Sequence, residues 1–344
     1  MQKKQRLFIN GFGRIGRAIT KLNMKYQKFD LVQINDINPN CENLTYLLNY
    51  DSTYGRLPEP ATSLGNEMSI GGHVVKVSSF SDLNEISWAE LDIDVLIDAS
   101  GVSKNVLVAK DLTRKGALKK VVVTHSSDDV DREVILGVNT DALTKEDSVV
   151  SSSICDANAI AHPLKWIESA FGISGGAVTT LHPWLSYQNL VDGPSISQSN
   201  PGVVWSDFAL GRAAGESLIP KNTTALTATE KIIPAIAGKL LSFSYRIPTR
   251  TVASSDLTLH LESSVTTKQF EQFLNDQCLQ SDYVRANYES LVSVDYEQDE
   301  ASAILDLQWV KAMNNTVKLI LWYDNEWAYS TRALELAEKC LADS

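Results

Sequence analysis

Cys155 and His182 stand 27 positions apart in this chain. A thiolate is a strong nucleophile toward carbonyl carbon, and an imidazole beside it can serve as acid or base. Upstream lies Gly11-Phe12-Gly13-Arg14-Ile15-Gly16, and Asp36 follows 20 residues after Gly16. That is the pattern of a turn that cradles a dinucleotide pyrophosphate, with an acid placed for the ribose. Nucleotide cradle, thiol and imidazole together point to oxidation of an aldehyde through a thioester. Either half alone says much less.

The elements that must position these groups are readable around them. Residues 6–10 (RLFIN) form a short apolar strand, Arg14 to Lys28 a helix, and Leu31 to Asn35 a second strand ending at Asp36. Strand, turn, helix and strand within about 30 residues make a βαβ unit. Gly11 permits the tight turn, Gly13 lets the backbone approach a pyrophosphate, and Gly16 lets the helix pack closely. The helix N-terminus offers unpaired N–H groups to phosphate. Gly11, Phe12, Gly13, Arg14 and Ile15 are therefore candidate cofactor contacts. Asp36 would accept from a ribose 2′-OH and repel a 2′-phosphate, which favours NAD over NADP. The plainer alternative for Asp36 is a loop-capping carboxylate.

Further apolar runs, Val95–Asp98, Val121–Thr124 and Val149–Ser151, alternate with helical stretches such as Lys104–Lys115. This predicts a parallel sheet covered on both faces, with ligands beyond the carboxyl ends of its strands. Ser100, Gly101 and Thr124 sit at those ends, either as cofactor contacts or as ordinary turn residues.

The second half reads differently. The runs 177–182 (AVTTLH), 243–249 (FSYRIPT), 256–262 (DLTLHLE) and 317–323 (VKLILWY) alternate apolar with polar residues. They predict a largely antiparallel sheet with one buried face. Phe270, Phe273 and Leu274 recur at helical spacing near Thr266–Leu279 and read as core. The tail Glu326–Leu341 reads as a further amphipathic helix. The segment Val191–Trp205, with Gly193, Pro194, Pro201 and Gly202, is a long loop or an intersubunit arm. Cys155 follows the run Val149–Ser153 and precedes a helical stretch, Asn158–Phe171. A thiol at a helix N-terminus gains thiolate character from the dipole and the free N–H groups. Taken singly, Cys155 reads as an inert buried thiol and His182 as a structural residue.

Length and composition bound these readings. At 344 residues the chain is long enough for two domains, and 44% hydrophobic with 21% charged residues is ordinary for a globular protein. A net charge of −11 argues against a broad nucleic-acid-binding face. Lys3, Lys4 and Arg6 near the N-terminus are not followed by an apolar signal core, and no run approaches the length of a membrane span. The four cysteines, Cys41, Cys155, Cys278 and Cys340, are scattered with no CxxC. That suits reduced thiols in a cytoplasmic protein, with neither a disulfide framework nor a metal site expected.

With these residues in view, the chain resembles the glyceraldehyde-3-phosphate dehydrogenase family nearly end to end. Asn10–Arg17 (NGFGRIGR), Asn35-Asp36, Tyr50–Arg56 (YDSTYGR), Ser100-Gly101-Val102 and Gly137–Asn139 follow the family order. So do Gln188–Pro194 (QNLVDGP), Arg246–Thr249 (RIPT), Asp256-Leu257-Thr258 and Trp322–Trp327 (WYDNEW). The interval from Cys155 to His182 is also the family's spacing of nucleophile and base. The resemblance implies NAD as cofactor, a small aldehyde as substrate and a homotetramer with segment 191–211 as an interface arm. It implies a Rossmann-type NAD-binding domain over 1–154 and an α+β catalytic domain over 155–323, with the helical segment 324–344 returning to the first domain. It further implies that Asn325 orients the nicotinamide carboxamide, Tyr329 helps to position the ring, and Arg246 grips substrate phosphate.

The departures from the family pattern fall around the thiol. Ser-Cys-Thr-Thr-Asn-Cys is usual there, where this chain has Ile154-Cys155-Asp156-Ala157-Asn158-Ala159. Ile154 and Asp156 thus replace two hydroxyl residues of the inorganic-phosphate subsite. The arginine of that subsite is lost near Ala209-Leu210. Thr223 is kept, but Thr224 stands for the glycine after it. Leu185 and Tyr187 occupy two further hydroxyl positions beyond His182. Asp156 would repel an incoming phosphate dianion and raise the Cys155 pKa, or it could be a simple helix N-cap. Three readings follow. The first is the phosphorylating reaction on glyceraldehyde 3-phosphate. The second is hydrolytic release of the acid, as in the related erythrose-4-phosphate dehydrogenase. The third is a catalytically weak NAD-binding paralogue.

Overall fold

The computed structural model describes residues 4–342. Lys3 and the last two positions of the segment 324–344 lie outside the described residues. By its contacts the chain divides into two compact units. One comprises Met1–Val134, Asp141–Ser152 and Ser330–Ser344, and the other Ile135–Thr140 with Ser153–Tyr329.

The first unit is built on a nine-stranded sheet. From one edge its strands run Arg132–Glu133, Val149–Ser151, Lys120–Val123, Val95–Asp98, Arg6–Asn10, Asp30–Asn35, His73–Ser78, Glu67–Ile70 and Thr62–Leu64. The first seven pair in parallel. The last two form an antiparallel edge. Val95–Asp98 and Lys120–Val123 are buried at every position, as strands covered on both faces must be. The chain leaves Arg6–Asn10 for Asp30–Asn35 on one side and later reaches Val95–Asp98 on the other. That reversal of order opens a crevice at the carboxyl ends, where nucleotides bind in such sheets. A buried amide network ties those ends together. Asn35 Nδ2 donates to Asn10 Oδ1 at 2.8 Å, and Asn10 Nδ2 donates to Asp98 Oδ1 at 2.9 Å.

The second unit holds an eight-stranded mixed sheet in the order Ile219–Lys221, Leu240–Ile247, Ile173–Pro183, Ala253–Leu261, Thr316–Tyr323, Ala303–Asp306, Val284–Asn287, with Lys311–Met313 also paired to Thr316–Tyr323. Most neighbours are antiparallel. Ile173–Pro183 with Leu240–Ile247, and Val284–Asn287 with Ala303–Asp306, are parallel. Alternation in the strand Thr316–Tyr323 buries Val317, Leu319, Leu321 and Tyr323 on one face. The helices Cys155–Phe171, Ala225–Ile232 and Thr267–Leu279 supply Ile160, Leu164, Leu226, Phe270 and Leu274 to the same core. The last of these helices starts at a reciprocal capping box between Thr266 and Gln269. Segment 191–205 is a mostly exposed loop closed by one bridge, Ile196 to Val204.

Candidate active site

In the first unit, the predicted cofactor residues converge. Gly11 has φ +88°, and a Cβ there would lie 2.6 Å from the Ser100 amide nitrogen. Only glycine tolerates that conformation and that approach. A Cβ on Gly16 would lie 2.1 Å from the Gly11 carbonyl oxygen, so the helix is packed directly on the turn. A Cβ on Gly13 would meet no atom of the described residues within 4 Å, which leaves its backbone open to a ligand. Gly13 also precedes the helix Arg14–Tyr26 without a side-chain cap, so the N–H groups of the first turn face outward from the helix end. Asp36 Oδ2 accepts from the Phe12 amide at 2.6 Å, and Oδ1 accepts from the Asn38 amide at 2.9 Å. The carboxylate therefore braces the turn as well as its own loop, as the loop-capping reading of Asp36 expects. Arg14 pairs with Asp51 at 2.7 Å. Burial opposes ionisation of Asp51, but the Arg14 hydrogen bond and charge hold its carboxyl down to about 2. Ser100 Oγ accepts from the Val102 amide and from Asn105 Nδ2, Gly101 takes φ +71°, and Thr124 Oγ1 donates to the Asp98 carbonyl. These residues fit NAD: a glycine-rich turn, an uncapped helix N-terminus and an acid at the end of the second strand.

In the second unit, Cys155 is the first residue of a 17-residue helix. Ser153, two residues before it, takes φ +60°, a strained conformation for a non-glycine residue. Tyr329 donates its hydroxyl to the Ser153 carbonyl at 2.9 Å and so braces that turn. His182 lies in the strand Ile173–Pro183, next to Arg246 in the register with Leu240–Ile247. The Cys155 Sγ and His182 Nε2 atoms are 3.5 Å apart. His182 Nδ1 lies 2.8 Å from the Pro183 carbonyl, which can only accept, so Nδ1 carries the proton and Nε2 presents its lone pair to sulfur.

Asp156 is not the N-cap of its helix, contrary to the structural alternative raised from sequence. Ile154 holds that position and Asp156 lies one residue inside the first turn, with its side chain directed elsewhere. Its Oδ1 accepts from the Tyr323 hydroxyl at 2.7 Å, lies 3.5 Å from Cys155 Sγ and 3.8 Å from His182 Nε2. Ser255 Oγ extends the chain, 3.3 Å from the Tyr323 hydroxyl. The three donor atoms of Cys155, Asp156 and His182 fall within 4.8 Å of one another.

The electrostatics follow from this packing. Burial, then the charge and hydrogen bond of Asp156, push the Cys155 thiol well above its usual range, against the pull of Arg246. Burial, then Arg246, push His182 down to about 4, although Asp156 opposes this. At neutral pH the pair is therefore a neutral thiol facing a neutral imidazole, with the proton on sulfur. The helix N-terminus favours the thiolate, but here the adjacent carboxylate works against it.

Arg246 is buried, and its Nη2 donates to the Tyr187 hydroxyl at 3.1 Å. Its Nε has no hydrogen-bond partner among the described residues. Thr223 Oγ1 accepts from the Ala225 amide at 3.1 Å, at the start of the helix Ala225–Ile232. Asn325 is buried, and its Oδ1 accepts from Thr251 Oγ1 at 3.3 Å. Sequence reasoning missed three participants. Tyr323 lies inside a quoted motif, but its bond to Asp156 spans 167 positions. Lys221 pairs across strands with Ser244, and it feels the charges of Arg246, Asp156 and Cys155. Burial, then Arg246, lower the Lys221 pKa. Tyr187 stands at a family hydroxyl position, and its phenol oxygen accepts from Arg246. Nothing local in sequence marks these pairings.

A largely parallel nucleotide-type sheet in one unit and a thiol–imidazole pair in the other mark an NAD-dependent oxidoreductase acting on an aldehyde group. Comparison with known proteins agrees. Residues 5–106 match the NAD binding domain of glyceraldehyde 3-phosphate dehydrogenase, and residues 154–325 match its C-terminal domain. The chain is 33% identical over 333 residues to glyceraldehyde-3-phosphate dehydrogenase 2 of Staphylococcus aureus (strain MRSA252), covering 96% of this chain and 94% of that one. It is 34% identical over 333 residues to glyceraldehyde-3-phosphate dehydrogenase 1 of Kluyveromyces lactis, covering 96% and 98%. It is 33% identical over 334 residues to glyceraldehyde-3-phosphate dehydrogenase 2 of Agaricus bisporus, covering 96% and 95%. The chain belongs to the glyceraldehyde-3-phosphate dehydrogenase family.

Proposed function

We propose that this protein oxidises a phosphorylated aldehyde, glyceraldehyde 3-phosphate or a close analogue, with NAD, through a thioester on Cys155 and with His182 as the base. The observation that carries this reading is the 3.5 Å approach of Cys155 Sγ to the unprotonated Nε2 of His182 at a helix N-terminus. The neutral resting pair suits the first step. His182 Nε2 carries the thiol proton to the carbonyl oxygen as the C–S bond forms. It takes the hydroxyl proton back as the carbon gives up its hydride, and a thioester remains on sulfur. NAD, when bound, supplies the hydride acceptor. The Cys155 backbone N–H and His182 stabilise the developing oxyanion.

In this reading Gly11, Phe12, Gly13, Arg14, Ile15, Asp36, Ser100, Gly101 and Thr124 hold the cofactor, within a domain spanning 1–154. Asn325 orients the carboxamide and Tyr329 the ring, while Arg246 and Thr223 bind substrate phosphate in the domain 155–323. The unpartnered Arg246 Nε supports a role in anion binding. The exposed side chains of Leu190, Val191, Ile196, Val204 and Phe208 support the loop as the interface arm of a cytoplasmic homotetramer.

A second reading of the release step has its own support. The Asp156 carboxylate, 3.5 Å from sulfur, repels inorganic phosphate and can accept a proton from water. Release by hydrolysis is then favoured. NADH formation from glyceraldehyde 3-phosphate, with and without inorganic phosphate and beside Cys155→Ala, tests both. Phosphate-dependent turnover supports phosphorolysis, and equal turnover without phosphate supports hydrolysis. Cys155-independent turnover, or none with any phosphorylated aldehyde, overturns the proposal.

A further inference from the structure

We infer that Cys155, Asp156 and His182 form a three-ligand site for zinc(II), with a fourth position left for water or a small anion. Zinc takes Cys sulfur at about 2.3 Å, His nitrogen at about 2.0–2.1 Å and carboxylate oxygen at about 2.0–2.2 Å in tetrahedral geometry. Such a centre sets its donor atoms about 3.3–3.6 Å apart by trigonometry on those lengths. Here Sγ and Nε2 are 3.5 Å apart, Sγ and Oδ1 3.5 Å, and Nε2 and Oδ1 3.8 Å. The face of a tetrahedron is thus already assembled, and a few tenths of an ångström complete it.

The surrounding groups also fit. A metal-bound histidine usually donates its other ring N–H to a carbonyl or carboxylate, which fixes the tautomer. His182 Nδ1 does so to Pro183, leaving Nε2 for the metal. The carboxylate is oriented in turn by the Tyr323 hydroxyl. Thiolate and carboxylate together neutralise the dication, and binding releases the thiol proton to solvent. A soft thiolate with an imidazole selects zinc over magnesium or calcium. Arg246 and Lys221 lie near enough to act electrostatically on this cluster and repel a cation. That weakens the site relative to a structural zinc centre and favours an anion in the fourth position. Asp156 is the decisive residue, since a hydroxyl in its place leaves only two strong ligands. The cluster escapes motif reading because two ligands are adjacent and the third stands 27 positions away.

The site rests on donor geometry alone. Its consequence, reversible masking of the nucleophile, rests on the function proposed above. The test uses the full chain, stripped with chelator and free of NAD and substrate. Zinc is titrated calorimetrically, and cobalt(II) is followed by its thiolate charge-transfer and tetrahedral ligand-field bands. We expect one metal per chain with a thiolate band, lost in Cys155→Ser and weakened at least about tenfold in Asp156→Asn. The asparagine can still accept from Tyr323, and a thermal melt verifies that the variant folds. Tyr323→Phe, which leaves all three ligands, should weaken binding by about tenfold. Absence of a cobalt–thiolate band, unchanged affinity in Asp156→Asn, or retention of the metal in Cys155→Ser would each overturn the site. Zinc that binds with the thiolate band but leaves turnover unaffected would confirm the site and sink Cys155 as nucleophile.

Discussion

The nucleotide cradle and the thiol cluster are assembled in opposite ways. The cradle is local, since Gly11, Gly13, Gly16 and Asp36 come from one βαβ unit whose backbone dictates where each must be. The thiol cluster draws Cys155 and Asp156 from a helix start, and His182, Arg246, Ser255 and Tyr323 from four different strands. In the cradle the family pattern is intact. In the cluster the thiol and imidazole persist, but a carboxylate and a phenol stand among the groups that surround them. The glycine turn and the thiol cluster share no residue, so the groups around the thiol can change while the turn stays as it is.

That contrast is broken most sharply by Cys155→Ala. Turnover should fall by at least about 10⁴-fold, while NAD affinity measured by calorimetry stays within twofold. A comparable loss of NAD affinity would mean that the two regions are not separable.

Gly11→Ala should act on the other side of the comparison. Positive φ and the 2.6 Å approach to the Ser100 amide leave no room for a methyl group. The expected cost is about 2–4 kcal/mol of stability, with loss of NAD binding, read by thermal melts with and without NAD. A variant that melts and binds like the parent would refute the close packing of the turn.

The cradle should also show an acid limb. Asp51 titrates at about 2 when folded and near 3.8 when unfolded. Its folded pKa is depressed, so its contribution is complete above pH 3.8 and is lost as pH falls through 2. At about 1.4 kcal/mol per unit this amounts to at most about 2.5 kcal/mol, less whatever solvent screening removes. Arg14→Gln should remove most of it, leaving urea stability at pH 3 and pH 6 more alike than in the parent.

The smallest effect sharpens the thiol side. In chelator-treated protein, Asp156→Asn removes the charge that helps to raise the Cys155 pKa. The lower pKa speeds iodoacetamide alkylation at pH 7, because more of the thiol is thiolate. The buried Cys41, Cys278 and Cys340 should remain unreactive in both proteins. An unchanged rate would show that burial alone sets the thiol.

Strand and helix positions were readable from sequence because period-2 and period-3.6 apolar patterns report which face is buried. The helix Thr267–Leu279 and the strand Thr316–Tyr323 lie within a residue or so of their expected places. The glycine turn was readable because its steric demands act on near neighbours. The role of Asp156 was not. As an acid in the first turn of a helix it passes for a cap, and its actual partner, Tyr323, is remote.

The glycine turn, the class of fold and the candidate thiol and imidazole were legible in the residues alone, since these depend on local backbone geometry and on a retained pattern of residues. Only the tertiary structure decided that Asp156 faces sulfur and imidazole together, that Tyr187 caps Arg246 and that His182 offers Nε2. Those facts depend on distances between segments far apart in the chain, and Coulomb and hydrogen-bond energies change steeply over a few ångströms.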